Sequence, residues 1–124
     1  MDLKKRIVIT GMGVVSPIGD TLDDYYNNLI NGKSGIKKME SIDTSKIRCK
    51  IGGDLGDYDV KGKLEELKDK IPETSYKKMK KIIKTAPFAT KLTMIAAAKA
   101  LIDAGITEKN VDKKRMAAII GGHN

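Results

Sequence analysis

Arg6-Ile-Val-Ile-Thr-Gly-Met-Gly-Val-Val-Ser-Pro-Ile-Gly19 is the stretch on which the reading of this chain turns. Its opening residues, 6–10, are β-branched and apolar except at their ends, the pattern of a strand covered on both faces. Gly11 and Gly13 then allow a turn that residues carrying a Cβ would resist. Asp20 or Thr21 can cap a following helix, with Asp23 and Asp24 near its positive end. That helix is predicted from Leu22 to Asn31, burying Leu22, Tyr25, Tyr26, Leu29 and Ile30, and Gly32 terminates it. A second glycine turn, Gly32-Lys-Ser-Gly-Ile36, comes next.

Further along, Ile47-Arg-Cys-Lys-Ile51 alternates apolar and charged residues as a half-exposed strand does, with Gly52 and Gly53 ending it. Residues 62–70 read as a short exposed helix, and Pro72 marks a break. A long helix follows, with Thr85 as its N-cap, Pro87 in its first turn and Gly105 as its C′ residue. Alanines at 96, 97, 98, 100 and 104 thin several of its faces, so it can approach neighbours closely and is expected to be largely buried. Met116-Ala-Ala-Ile-Ile120 reads as a second strand covered on both faces. This order of strands and helices predicts an α/β fold of helices layered on a mixed sheet.

With 124 residues, 40% apolar and 32% charged, the chain fits one soluble globular domain. No apolar run approaches the roughly 18 residues that span a bilayer, and the stretch after the basic start is too short for a signal peptide. The expectation is a cytoplasmic protein with no membrane partner. A single cysteine, Cys49, permits no internal disulfide, and one histidine with one cysteine is too few for a structural zinc site. Net charge is +8, concentrated at Lys77-Lys-Met-Lys-Lys81 and Lys84. These lysines are either a solvated helical face or a docking surface for an acidic partner, a carrier protein or nucleic acid. Aromatics are only 4%, without Trp, which leaves little to stack bases on; no nucleic acid is expected.

Gly11-Met-Gly13-Val-Val-Ser16 nearly matches the dinucleotide fingerprint G-x-G-x-x-G/A. Ser16 replaces the third glycine, Pro17 sits where the helix should already run, and the helix starts too late to cradle a pyrophosphate. The turn is read as structural, and no cofactor is expected. Cys49 between Arg48 and Lys50 lacks a nearby base or helix N-terminus and is read as structural. His123 stands on a glycine turn after a strand, where sites occur in open α/β sheets, yet no partner for it is visible. No catalytic constellation can be assembled from the residues alone.

Taken together at their spacing, Arg6–Gly19 and Gly32–Ile36, with Ile42-Asp-Thr-Ser45, Ala96–Gly105 and Met116–Gly121, resemble the start of the β-ketoacyl-acyl-carrier-protein synthases. The resemblance implies the N-terminal part of a thiolase-like fold, two similar α/β halves in five layers that work as a dimer. Residues 1–124 would form an incomplete N-terminal domain of it. In the family a cysteine accepts an acyl chain from acyl carrier protein as a thioester. Two histidines, or a histidine and an asparagine, then help malonyl-carrier protein lose carbon dioxide, and backbone N–H groups hold the oxyanion. All of these align C-terminal to Asn124, so no catalytic residue is expected here, and Cys49 matches a strand position rather than the nucleophile.

The resemblance carries only Gly121-Gly-His-Asn124 to the acyl pocket, where the family usually has G-S-G followed by Ile or Val. His123 and Asn124 are therefore the candidate substrate-binding residues. The family's basic-basic-Met-Asp motif is replaced by Lys84-Thr-Ala-Pro-Phe88, and the lysine run sits too early to be that motif. Both departures resemble polyketide-pathway ketosynthases, including decarboxylase-only members of β-branching pathways. Implied partners are acyl carrier protein and the remainder of the ketosynthase or a second copy. The alternative is a non-catalytic basic module that binds an acidic carrier protein or partner subunit.

Overall fold

The structure, a computed structural model, describes residues 6–106 and 111–122. Helix α1 spans Leu22–Ile30, strands β1 and β2 span Ile36–Lys38 and Ile51–Gly53, and helices α2, α3 and α4 span Val60–Glu66, Glu73–Ile82 and Phe88–Asp103. Single 3-10 turns occupy Lys68–Lys70 and Lys113–Arg115.

Thr21 starts α1 by a reciprocal cap. Its Oγ1 accepts from the Asp24 amide at 3.1 Å and donates to the Asp24 carboxylate at 2.7 Å. Gly32, at φ +68°, turns the chain out of the helix as expected. The apolar side of α1 does not enter a core, however. Leu22 and Tyr25 are half-buried, while Tyr26, Leu29 and Ile30 are more than half exposed.

The strands form an antiparallel hairpin with Ile36 opposite Gly53, Lys37 opposite Gly52 and Lys38 opposite Ile51. The predicted strand at 47–51 is thus displaced: residues 47–50 are loop, and Gly52 and Gly53 belong to β2 rather than ending it. Tertiary placement overrides the alternation here, because Asp54 anchors the far end of the loop. Its carboxylate accepts from the amides of Glu40 (2.6 Å), Ser41 (3.0 Å) and Gly56 (2.9 Å). The Ser41 side chain first, and then the Glu40, Gly56 and Ser41 amides, hold the Asp54 carboxyl far below the usual carboxylate range.

The core lies where α2, α3 and α4 meet: Val60, Leu64 and Leu67, then Ile71, Tyr76, Ile83, Ile95 and Ala98. Residues 62–70, predicted to be exposed, contribute a buried face instead, because Val60, Leu64, Leu67 and Ile71 recur at helical spacing. In α4, Ile95 is fully buried and Ala98 nearly so. Its N-cap is Pro87 and not Thr85, whose amide closes the preceding turn on the Ile82 carbonyl at 3.1 Å. Gly105, at φ +63°, ends α4 as predicted.

Residues 6–10 and 116–120 do not form strands. Ile7 is 98% exposed and Ile119 98%. Among the described residues nothing lies beside either stretch in hydrogen-bonding register, and an extended segment becomes a strand only through such a neighbour. No helix among the described residues is long and apolar enough to cross a membrane.

Candidate functional site

The glycine turn is seated on α4. A Cβ on Gly11 would lie 2.4 Å from the Ala100 carbonyl oxygen and 2.7 Å from the Ala104 Cβ. One on Gly13 would lie 2.1 Å from the Ala96 carbonyl oxygen and 2.7 Å from the Ala100 amide. Ala96, Ala100 and Ala104 recur every four residues and make one stripe along the helix. Neither glycine has a positive φ, so they are required for close approach and not for an unusual turn. Asp103 fixes the contact by accepting from the Met12 amide at 2.9 Å.

Lys99, the one charged residue between Ile95 and Ile102, reaches from α4 to the loop that precedes α1. Its Nζ donates to the Val14 carbonyl at 3.3 Å, to the Asp20 carbonyl, and to the Asp20 carboxylate at 2.6 Å. Asp20 also accepts from the Tyr58 hydroxyl at 2.7 Å and pairs with Lys63 at 3.1 Å. Lys63 in turn pairs with Glu66 at 2.9 Å. Burial opposes ionisation of Asp20, but the contacts with Lys99, Tyr58 and Lys63 together outweigh it and hold its pKa below the ordinary value. Burial and the adjacent Asp20 carboxylate push the Tyr58 hydroxyl far up. Glu66 and then Asp20 raise Lys63.

This node floors a cleft of about 380 Å³ bounded by Met12–Val14, the start of α1, the end of α2 and the last turns of α4. Its cations and carboxylates are largely committed to one another, and no cysteine or histidine lines it among the described residues. The arrangement therefore ties the N-terminal loop, α2 and α4 into one body. The sequence reading missed the node because Asp20 and Lys99 lie 79 residues apart. The available signal was a lone lysine within an alanine-rich helix.

His123 and Asn124 lie outside the described residues. The glycines before them, Gly121 and Gly122, line an apolar hollow of about 280 Å³ with Ile120 and the Ala89, Thr93 and Ala97 side of α4. Cys49 is exposed in the loop before β2, not mid-strand, and its thiol donates to the Ile51 carbonyl at 3.1 Å. Among the described residues no group of three or more His, Cys, Asp or Glu is placed to hold a metal. The lysine run lies on α3, where Lys77 pairs with Glu73 at 2.7 Å and Lys80 with Glu65 at 3.2 Å. Lys80 also stands 5.4 Å from the Tyr76 ring centre, within cation–π range.

Residues 4–124 match the family model described as beta-ketoacyl synthase, N-terminal domain. A 3-oxoacyl-(acyl-carrier-protein) synthase 2 of Coxiella burnetii is 32% identical over 118 residues, which is 95% of this chain and 25% of that protein. The chloroplastic 3-oxoacyl-(acyl-carrier-protein) synthase II of Arabidopsis thaliana is 31% identical over 121 residues, covering 95% of this chain and 20% of the relative. A 3-oxoacyl-(acyl-carrier-protein) synthase 2 of Synechocystis is 44% identical over 57 residues, 46% of this chain and 14% of the relative. The chain thus spans a quarter or less of the length of these relatives. No solved structure matches it significantly. With its α/β, thiolase-like fold and a family match that runs over nearly its whole length, the chain belongs to the β-ketoacyl synthases, as an N-terminal segment of their N-terminal domain.

Proposed function

We propose that this chain is the N-terminal portion of a β-ketoacyl-acyl-carrier-protein synthase of fatty-acid synthesis, a transferase that works as a homodimer in the cytoplasm. The reaction is the decarboxylative condensation of an enzyme-held acyl thioester with malonyl-carrier protein, and the partner is acyl carrier protein. The observation that carries this reading is the 95% coverage of the chain by the Coxiella synthase at 32% identity. The contribution of these 124 residues is scaffold: the Asp20–Lys99 node and the glycine–alanine seat fix the loop and helix on which the rest of the domain builds. Reacting groups come from polypeptide outside these residues. His123 and Asn124 border the acyl pocket, supported by the apolar hollow at Gly121 and Gly122.

The test incubates the protein expressed from its full reading frame with an acyl-carrier-protein thioester and malonyl-carrier protein, following carbon dioxide and the 3-oxoacyl product together. Equal amounts of both support condensation. Carbon dioxide without the condensed product moves the protein to the decarboxylase-only ketosynthases of polyketide β-branching. Neither product, with carrier protein still bound, leaves the non-catalytic basic module as the correct reading.

A further inference from the structure

The last turn of α1 closes in a Schellman arrangement. The Gly32 amide donates to the Leu29 carbonyl at 3.0 Å and the Lys33 amide to the Asn28 carbonyl at 2.9 Å. The Asn31 side chain joins in: its Nδ2 donates to the Asn27 carbonyl at 2.8 Å, which also accepts from the Asn31 amide at 3.2 Å. Asn31 and Gly32 are both exposed, and nothing stands within 4 Å of where a Cβ on Gly32 would lie.

An asparagine followed by a glycine carries an electrophile and a nucleophile on adjacent residues. The Gly32 amide nitrogen can close a ring onto the Asn31 Cγ, and the missing Cβ at residue 32 removes the steric bar to that approach. Asn27, Asn28 and Asn110 precede Asn, Leu and Val, whose side chains impose the bar. In the closed turn both reacting groups of the Asn31–Gly32 pair are engaged, the nucleophile on Leu29 and the leaving group on Asn27. Attack therefore requires the turn to open. Little holds it shut: Tyr26, Leu29 and Ile30 are more than half exposed, and no basic residue in the last turn offsets the negative end of the helix dipole. A helix end with so few contacts opens at far lower cost than the whole molecule unfolds.

We propose that Asn31 is a deamidation site whose rate is set by opening of the α1 C-terminus. In the open turn a solvent base takes the Gly32 amide proton. The nitrogen bonds to Cγ, the Cγ–Nδ2 bond breaks, and Nδ2 gains a proton and leaves as ammonia. Water then adds to either carbonyl of the succinimide and reopens it, to aspartate or to isoaspartate. Nothing is oxidised or reduced. Either product places a carboxylate at the negative end of α1. Isoaspartate also lengthens the main chain by a methylene, so the Gly32 and Lys33 amides no longer reach Leu29 and Asn28 together. The Asn28 side chain, which donates to the Ile18 carbonyl, carries that loosening to the loop before α1.

The test incubates the full-length protein at mildly alkaline pH in water enriched in heavy oxygen, then maps the label by peptide mass spectrometry. Label enters only as the succinimide reopens, so it reports turnover at each asparagine. Label at Asn31 is expected to accumulate many-fold faster than at Asn27 or Asn28, and to vanish in Asn31→Gln, whose longer side chain closes the ring poorly. Gly32→Ala strains a backbone held at φ +68° and so favours the open turn, yet it is expected to slow the reaction many-fold because its methyl restores the bar. Equal labelling at the three asparagines of α1 and its cap, or none at Asn31, overturns the site. Repeating the incubation in urea below the unfolding midpoint tests the control by the helix end. A rate that barely changes supports opening of the turn alone, and a rate that climbs with the full unfolding slope overturns it. Asn31→Asp, which reproduces one product, is expected to speed hydrogen exchange at Gly32 and Lys33 about threefold, and unchanged exchange overturns the structural consequence.

Discussion

A single methyl group at residue 13 would meet three atoms of α4 at once, two of them backbone: the Ala96 carbonyl oxygen, the Ala100 amide and, at 2.9 Å, the Lys99 Cβ. Backbone inside a helix cannot yield without breaking its hydrogen bonds, so Gly13→Ala is expected to destabilise by about 2 kcal/mol. Urea unfolding should show a lower midpoint at an unchanged slope. Asp20 makes a second prediction at this scale. Its side chain is 23% exposed and that of Lys99 18%, so removing the carboxylate leaves an ammonium largely out of water. Asp20→Asn is expected to cost about 1–2 kcal/mol, between the values for exposed and fully buried pairs. Because the folded pKa of Asp20 is depressed, its stabilisation is present above the ordinary carboxylate pKa and is lost as pH falls through the folded value. The gap between wild type and Asp20→Asn in urea should therefore shrink as pH falls below the ordinary carboxylate range, and a gap independent of pH would refute the assignment.

Helix ends and helix faces obey different rules at the scale of elements. The Thr21 cap and the Gly105 terminator are local devices, each set by a few adjacent residues, and both are readable in the sequence. Thr21→Ala should remove the bond to the Asp24 amide and cost about 1 kcal/mol, measurable by thermal unfolding. Which face a helix buries is not local. In α1 the apolar side chains Tyr26, Leu29 and Ile30 have the spacing of a core face yet stand exposed, whereas the lysine- and glutamate-rich α2 carries the fully buried Leu64. Periodicity marks a face that can be buried; the neighbour that buries it must come from elsewhere in the chain.

At the scale of the whole molecule, apolar surface is unevenly distributed. The three-helix core is closed, but Ile7, Val8 and Ile9 are 98%, 71% and 83% exposed, and Ile119 and Ile120 are 98% and 72% exposed. Such stretches are sticky in water. The 124-residue chain by itself is expected to bind a hydrophobic dye and to self-associate with rising concentration, and Ile7→Lys with Ile119→Lys should reduce both. A monodisperse, dye-silent chain at high concentration would contradict this. These two segments are also where the sequence reading and the structure part: their composition is that of strands covered on both faces, but no pairing partner stands beside them among the described residues.

Family membership, the α/β class and the Gly105 helix end were legible in the order of residues, with Thr21 one of the two caps it offered for α1, because each depends on neighbours within a few positions or on a motif kept at fixed spacing. Tertiary structure alone decided that Gly11 and Gly13 exist for contact with the Ala96–Ala100–Ala104 stripe, that Asp20 and Lys99 form the central ion pair, and that β2 runs through Gly52 and Gly53. The physical reason is the same in each case. Close packing, charge burial and strand pairing are properties of groups brought together from distant parts of the chain, and no local pattern encodes which distant group arrives.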